Sequence, residues 1–137
     1  MRFSSILMTL LLVAAGAAAQ QQLRIGNPAP EFTAQSLEGS VYDSKALAGK
    51  VVVMTFWSTR CAVCHGEIPK LNQLVERYRG KDVVFLALTM ENDVRIDPYL
   101  RKNPFTFNII PNSFGVCSSL QIWTPVEGSI WATRRTS

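Results

Sequence analysis

Histidine occurs once and cysteine three times in the 137 residues. That scarcity removes several kinds of chemistry. A Ser/His/Asp triad would have to use His65 as its base, inside a cysteine motif, and is discounted. A structural zinc site takes four ligands, usually as two pairs. Beyond Cys61, Cys64 and the adjoining His65, only the isolated Cys117 remains. Two cysteines at one place and one apart do not make a disulfide-stapled miniprotein either. No basic stripe interleaves with aromatics, although the formal charge is +4 and Arg134 and Arg135 sit near the tail. Nucleic acid is therefore a poor partner. Internal repeats and low-complexity linkers are absent. At 47% hydrophobic, the chain has room for one domain with a real core.

No apolar run reaches the roughly 20 residues of a membrane-spanning helix. Residues 1–19 read instead as a secretory signal: Arg2, a short apolar core at 6–15, and Ala17-Ala18-Ala19 as the cleavage signature before Gln20. An uncleaved N-terminal anchor is the alternative. No cysteine follows the apolar run, so no lipoprotein anchor is expected. Either reading makes the domain extracytoplasmic, periplasmic or secreted, and exposes it to oxidants. A lone dithiol there reads as a catalytic pair cycled by a dedicated partner.

The informative stretch is 51–69, VVVMTFWSTRCAVCHGEIP. Residues 51–57 carry no charge and are largely β-branched or aromatic, which predicts a strand buried on both faces. Ser58 and Thr59 are good N-cap types. Ile68, Leu71, Leu74, Val75 and Tyr78 recur at helical spacing until Gly80 stops the pattern. Cys61 and Cys64 thus lie where a buried strand hands over to an amphipathic helix. Free backbone N–H groups and the positive end of the macrodipole stabilise a thiolate in a first helical turn. Arg60 adds a positive charge. Cys61 is accordingly expected to be the exposed attacking sulfur. Cys64, one turn further in, is placed to resolve a mixed disulfide.

Around this stretch, residues 25–32 are Pro-rich and extended. Residues 32–35 and 40–42 flank Leu37-Glu38-Gly39 and predict a β-hairpin. Residues 44–47 predict a helical turn ending near Gly49. The apolar run 83–89 predicts a parallel strand and completes a βαβ crossover. Residues 92–102 lean to helix, with a shorter helix capped by Asp97 and starting at Pro98 as the alternative. Phe105, Phe107 and Ile109 alternate with other residues and predict a strand up to Pro111. Residues 113–120 predict a short helix in which Cys117 is a small buried hydrophobe.

Phe56-Trp57, Cys61-x-x-Cys64 and Glu67-x-Pro69 resemble the TlpA/ResA-like branch of the thioredoxin superfamily. The pieces Gly26-x-Pro-Ala-Pro-x-Phe32 and Leu47-x-Gly49-Lys50 are similar to the redoxin, or AhpC-TSA, group. The resemblance covers about 25–125. It implies an α/β, thioredoxin-like fold with an N-terminal β-hairpin extension. It also implies an extracytoplasmic thiol–disulfide oxidoreductase working on protein disulfides, in the reductive direction, with cytochrome c maturation among its roles. No cofactor beyond the redox-active disulfide Cys61–Cys64 is expected, and the electron donor would be a membrane thiol reductant. Pro69 matches a proline that kinks the active-site helix. Glu67 matches a carboxylate that tunes the thiols. Thr124-Pro125 matches the cis-proline pair that faces the thiols and pairs with extended substrate. Trp57 and Arg60 flank the site as substrate-binding or tuning residues. Arg60 stands where the family usually has Trp, which alters the docking surface.

Two alternatives come with the motif. Cys61-x-x-Cys64-His65 also spells the c-type haem attachment sequence, with His65 as axial ligand and Met54 or Met90 as the sixth. The buried strand before the motif and Pro69 inside the helix argue against it. A thiol peroxidase of the AhpC-TSA type is nearer, but it needs a threonine three positions before its cysteine. Thr59 stands two before Cys61 and five before Cys64. The tail departs from the family, which continues with two antiparallel strands and a helix. Here Glu127 and Gly128 stand where an apolar strand should begin. The expectation is therefore a domain at 20–125 and an atypical tail at 126–137, truncated or frame-shifted. The usual C-terminal strands and helix would be missing, and one side of the 51–57 strand unpaired.

Overall fold

The computed structural model describes residue 26, residues 28–120 and the backbone of 131–134. The charge-free run forms β3 (Val51–Phe56), preceded by β1 (Thr33–Gln35) and β2 (Val41–Asp43) and followed by α1 (Ala62–Arg77). Then come β4 (Val83–Leu88), α2 (Asp93–Leu100), β5 (Asn108–Ile110), α3 (Phe114–Ser119) and β6 (Trp131–Arg134). β1 and β2 pair antiparallel as the expected hairpin. The main sheet has the order β5-β4-β3-β6. β3 and β4 are parallel through their whole lengths, from Val51↔Val83 to Phe56↔Leu88. A parallel pair needs a crossover, and α1 supplies it.

Period-two alternation gives the sheet two apolar faces. Val52, Met54, Leu86 and Leu88 face one core, with Phe32 and Ala34 of the hairpin strip and Val116 and Cys117 of α3. Val53, Trp57, Phe85 and Ala87 face the other, with Ile68 and Leu71 of α1 and Ile96 of α2. The expected small-hydrophobe role of Cys117 holds, since it is buried and not disulfide-bonded. α1 ends as expected: Tyr78 donates its N–H back to the Leu74 carbonyl at 3.1 Å. Gly80 then takes φ +76°, a left-handed turn that glycine adopts without strain.

Three local expectations change. α2 is capped by Asn92, whose Oδ1 accepts the Arg95 N–H at 3.2 Å, and not by Asp97. This start places Ile96, 0% exposed, in the core. Pro98 lies inside the helix, where its missing N–H leaves the carbonyl of Val94, a residue 77% exposed and open to water. The predicted strand at 105–110 shortens to Asn108–Ile110. Phe105 and Phe107 are still buried, but Asn72 of α1 takes the ladder's place beside them. Its Oδ1 accepts both the N–H and the hydroxyl of Thr106 at 2.9 Å, and its Nδ2 donates to the Pro104 carbonyl.

The third correction concerns the tail. β6 pairs antiparallel with β3, from Val51↔Arg134 to Met54↔Trp131. The side of β3 expected to be bare is paired over Val51–Met54, so that expectation changes, while the expected absence of a full ladder along 51–57 holds. β6 begins beyond Glu127 and Gly128, the residues that argued against a strand. The ladder covers Val51–Met54 and stops before Thr55 and Phe56.

Two tests follow from these placements. Removing residues 131–137 reopens the β3 edge, and each buried backbone group left unpaired costs about 1–3 kcal/mol. Thermal unfolding with light scattering should show a Tm lower by about 5 °C or more, with aggregation. A melt superimposable on that of the full chain would mean that β6 contributes nothing. Burial pushes the Cys117 thiol up from its ordinary pKa. Cys117 should therefore resist alkylation at neutral pH in the folded protein and react once urea unfolds it. Labelling in the native state would contradict its placement.

Candidate active site

β3 delivers the chain to Trp57, whose N–H still bonds the Leu88 carbonyl at 3.0 Å. A short loop, Ser58 to Arg60, then turns into α1. The helix cap is Cys61 itself, not Ser58 or Thr59. Cys61 has extended backbone angles (φ −85°, ψ 96°), and its Sγ accepts the Cys64 N–H at 3.2 Å. The hydroxyls that looked like caps are used elsewhere. Ser58 Oγ accepts the Arg60 N–H at 3.4 Å, and the Thr59 hydroxyl donates to Glu91 at 2.9 Å. The Ser58 carbonyl accepts the Cys61 N–H at 3.2 Å, which closes the turn.

Cys61 and Cys64 are joined as a disulfide. They are not equivalent. Cys61 stands at the outer end of the helix, where unpaired N–H groups converge. Cys64 packs against the core that contains Trp57 and Ile68, and its Sγ lies 4.0 Å from the Phe56 carbonyl. On reduction, a negative charge on Cys61 meets N–H donors and the helix dipole, whereas Cys64 faces apolar groups and a carbonyl.

The other predicted site residues are placed as follows. Arg60 is 79% exposed on its side chain and reaches toward Glu91, Nε to Oε1 4.0 Å, so part of its field is directed at that carboxylate. Glu67 is half-buried on α1, three positions after Cys64 and hence on a neighbouring stretch of helix surface. Trp57 is core: 6% exposed, edge-on to Phe105 at 5.6 Å and tilted against Tyr99 at 5.6 Å. Its Nε1 has no hydrogen-bond partner among the described residues. Pro69 lies inside α1, where the His65 carbonyl loses its i+4 donor. Thr124 and Pro125 lie outside the described residues, as does the segment 1–19.

Two residues at the site were not singled out for what they do there. Glu91, just past β4, accepts both the N–H (2.6 Å) and the hydroxyl of Thr59. His65 has Nε2 3.2 Å from the Ser58 carbonyl and its ring 4.6 Å from that of Tyr99. Nε2 is thus the protonated nitrogen that donates to Ser58, and the ring holds the cysteine loop. Glu91 follows a strand in a polar run, a setting with no sequence signal of contact across 32 positions. Among the described residues no three His, Cys, Asp or Glu gather to hold a metal ion, and no helix is long and apolar enough to cross a membrane.

Known proteins place this arrangement in context. The ResA thiol-disulfide oxidoreductase of Bacillus thuringiensis (strain Al Hakam) is 33% identical over 91 residues, which are 66% of this chain and 53% of that protein. The chain thus spans about half the length of the curated relatives it matches. Among solved structures, a candidate thiol:disulfide interchange protein DsbE from Chlorobium tepidum superposes with TM-score 0.71 at 21% identity, covering 83% of this chain and 80% of that one. A candidate thiol-disulfide oxidoreductase from Bacteroides vulgatus gives 0.62 at 28% identity, over 82% and 80%. These likenesses establish the thioredoxin-like α/β fold, which is not the helical fold that the haem reading required. The family model described as AhpC/TSA family matches residues 25–134, a span that includes the cysteine loop and β6. The chain belongs to the AhpC/TSA family and, within it, resembles the ResA-like redoxins.

Proposed function

We propose that this chain is a thiol–disulfide oxidoreductase that exchanges its Cys61–Cys64 pair with disulfides of protein substrates. The observation that carries the reading is the cap: one sulfur of the pair sits at the start of α1 and accepts a backbone N–H, while the other packs inward. In the reductive direction, the Cys61 thiolate attacks one sulfur of a substrate disulfide and expels the other as thiolate. The Cys64 thiolate then attacks Cys61 Sγ, and the second substrate sulfur leaves. Two electrons pass to the substrate, and the chain ends with its own disulfide closed. A dithiol donor must reopen it, and a membrane thiol reductant fits an extracytoplasmic domain exported by residues 1–19. In this reading the cysteine pair is the redox group, and a part in preparing apocytochrome cysteines for haem is what the resemblance to the TlpA/ResA-like branch implies.

Family membership alone favours a second reading, a thiol peroxidase. Against it, the threonine nearest Cys61 has its hydroxyl engaged by Glu91. Parallel assays separate the two. Reduction of insulin with no peroxide consumption supports exchange. Peroxide consumption without insulin reduction would replace it with the peroxidase.

Two variants test the assigned roles. Cys64→Ser should trap a mixed disulfide through Cys61, visible by mass spectrometry as an adduct on that residue. Trapping through Cys64 in the reciprocal Cys61→Ser protein, and not through Cys61, would reverse the assignment. If Glu67 lies close enough to repel a thiolate, Glu67→Gln should lower the apparent pKa of an active-site thiol by about half a unit or more. An identical titration would make Glu67 a surface carboxylate.

A further inference from the structure

We infer that Glu91 is a positioning residue for Cys61, holding the loop that presents the attacking sulfur. The inference rests on the exchange reading of the cysteine pair. The loop Ser58 to Arg60 has no ladder of its own beyond Trp57 and no side-chain cap from its own hydroxyls onto α1. Its fixed points come from elsewhere, and the strongest is Glu91. One carboxylate oxygen accepts the Thr59 N–H at 2.6 Å, the other the Thr59 hydroxyl at 2.9 Å, and the Arg60 Nε lies 4.0 Å from the latter. The Glu91 side chain is only 10% exposed. A carboxylate in that setting needs donors on both oxygens, and this loop supplies them.

Glu91 is itself held from two sides. Its N–H bonds Thr89 Oγ1 at 3.2 Å, and its carbonyl accepts the Asn112 N–H at 3.1 Å. Thr89 in turn is tied to the Ile110 carbonyl at 3.0 Å. The clamp is therefore continuous with the end of the β4–β5 ladder, the rigid part of the fold. His65 also donates to the Ser58 carbonyl of the same loop. Thr59 lies two residues before Cys61, so a shift of the loop moves Cys61 Sγ away from the Cys64 N–H that it caps. The Cys61 thiolate then loses its donor. Loosening the clamp should raise the Cys61 pKa and slow its attack, without touching either sulfur.

The test uses the full chain in a Cys64→Ser background, so that Cys61 is the accessible thiol and Cys117 is buried. Alkylation rate is measured against pH, with a thermal melt of each protein. Relative to Glu91→Gln, which removes the same charge but keeps the hydrogen bonds, Glu91→Ala should raise the apparent Cys61 pKa and slow alkylation at pH 7 by about tenfold. Glu91→Gln keeps an amide oxygen for the Thr59 N–H and an amide N–H for the Thr59 hydroxyl oxygen. It should restore the rate to within about threefold of the parent. Thr59→Val, which removes one donor and keeps the side-chain shape, should give an intermediate shift and decides the matter if Glu91→Ala does not fold. A purely structural role would lower the melting temperature and leave the pH profile in place. That result in the folded variants, or Glu91→Gln as slow as Glu91→Ala, would overturn the inference. Failure of the parent chain to reduce insulin would sink the exchange reading instead, and the alkylation comparison would still stand.

Discussion

A helix start leaves backbone N–H groups without partners, and in most helices a hydroxyl or carboxylate side chain takes one of them. In this protein a cysteine sulfur does so. That substitution governs much of what surrounds it. A sulfur that caps a helix must stand at its outer end, in reach of further donors, and its neighbour three residues on must face inward. The two sulfurs are thus given different surroundings by their places on the helix. Ser58 and Thr59, freed from capping, become the handles by which other elements hold the turn.

The inner side of the site is aromatic. Trp57, Tyr99, Phe105 and Phe107 form a run of ring contacts between β3, α2 and the segment before β5. His65 joins it through Tyr99. Aromatic pairs at these spacings add to simple area burial and fix the relative orientation of the elements that carry them. The first turn of α1 is therefore docked, through His65 and Tyr99, on a stiff surface.

Much of this was legible in the sequence, and the misses have a common cause. The strand at 51–56, the helix to Arg77, the parallel partner at 83–88 and the hairpin were readable because their patterns are local: alternation, helical spacing, a turn glycine. The cysteine pair was readable because its spacing is itself chemistry. What failed depended on distant partners. Ser58 and Thr59 have the right side chains for a cap, but Glu91, 32 positions later, competes for the threonine. Residues 105–107 alternate like a strand, but Asn72 satisfies their backbone from a helix. β6 was discounted on the polarity of Glu127 and Gly128, whereas four residues further along suffice to pair with β3. Thr124 and Pro125 lie where the structure makes no statement.

The β3–β6 ladder also sets an order of events in synthesis. Residues 51–54 leave the ribosome about 80 residues before their partners at 131–134. The hairpin, β3, α1 and β4 are contiguous and can assemble as they emerge, because their contacts are short in sequence. The second edge of β3 cannot close until residues 131–134 have emerged. During that interval the strand that leads to the cysteines is bounded on one side only, with an open ladder available to any extended chain nearby. The two thiols are therefore synthesised well before β6 can pair with the strand that leads to them.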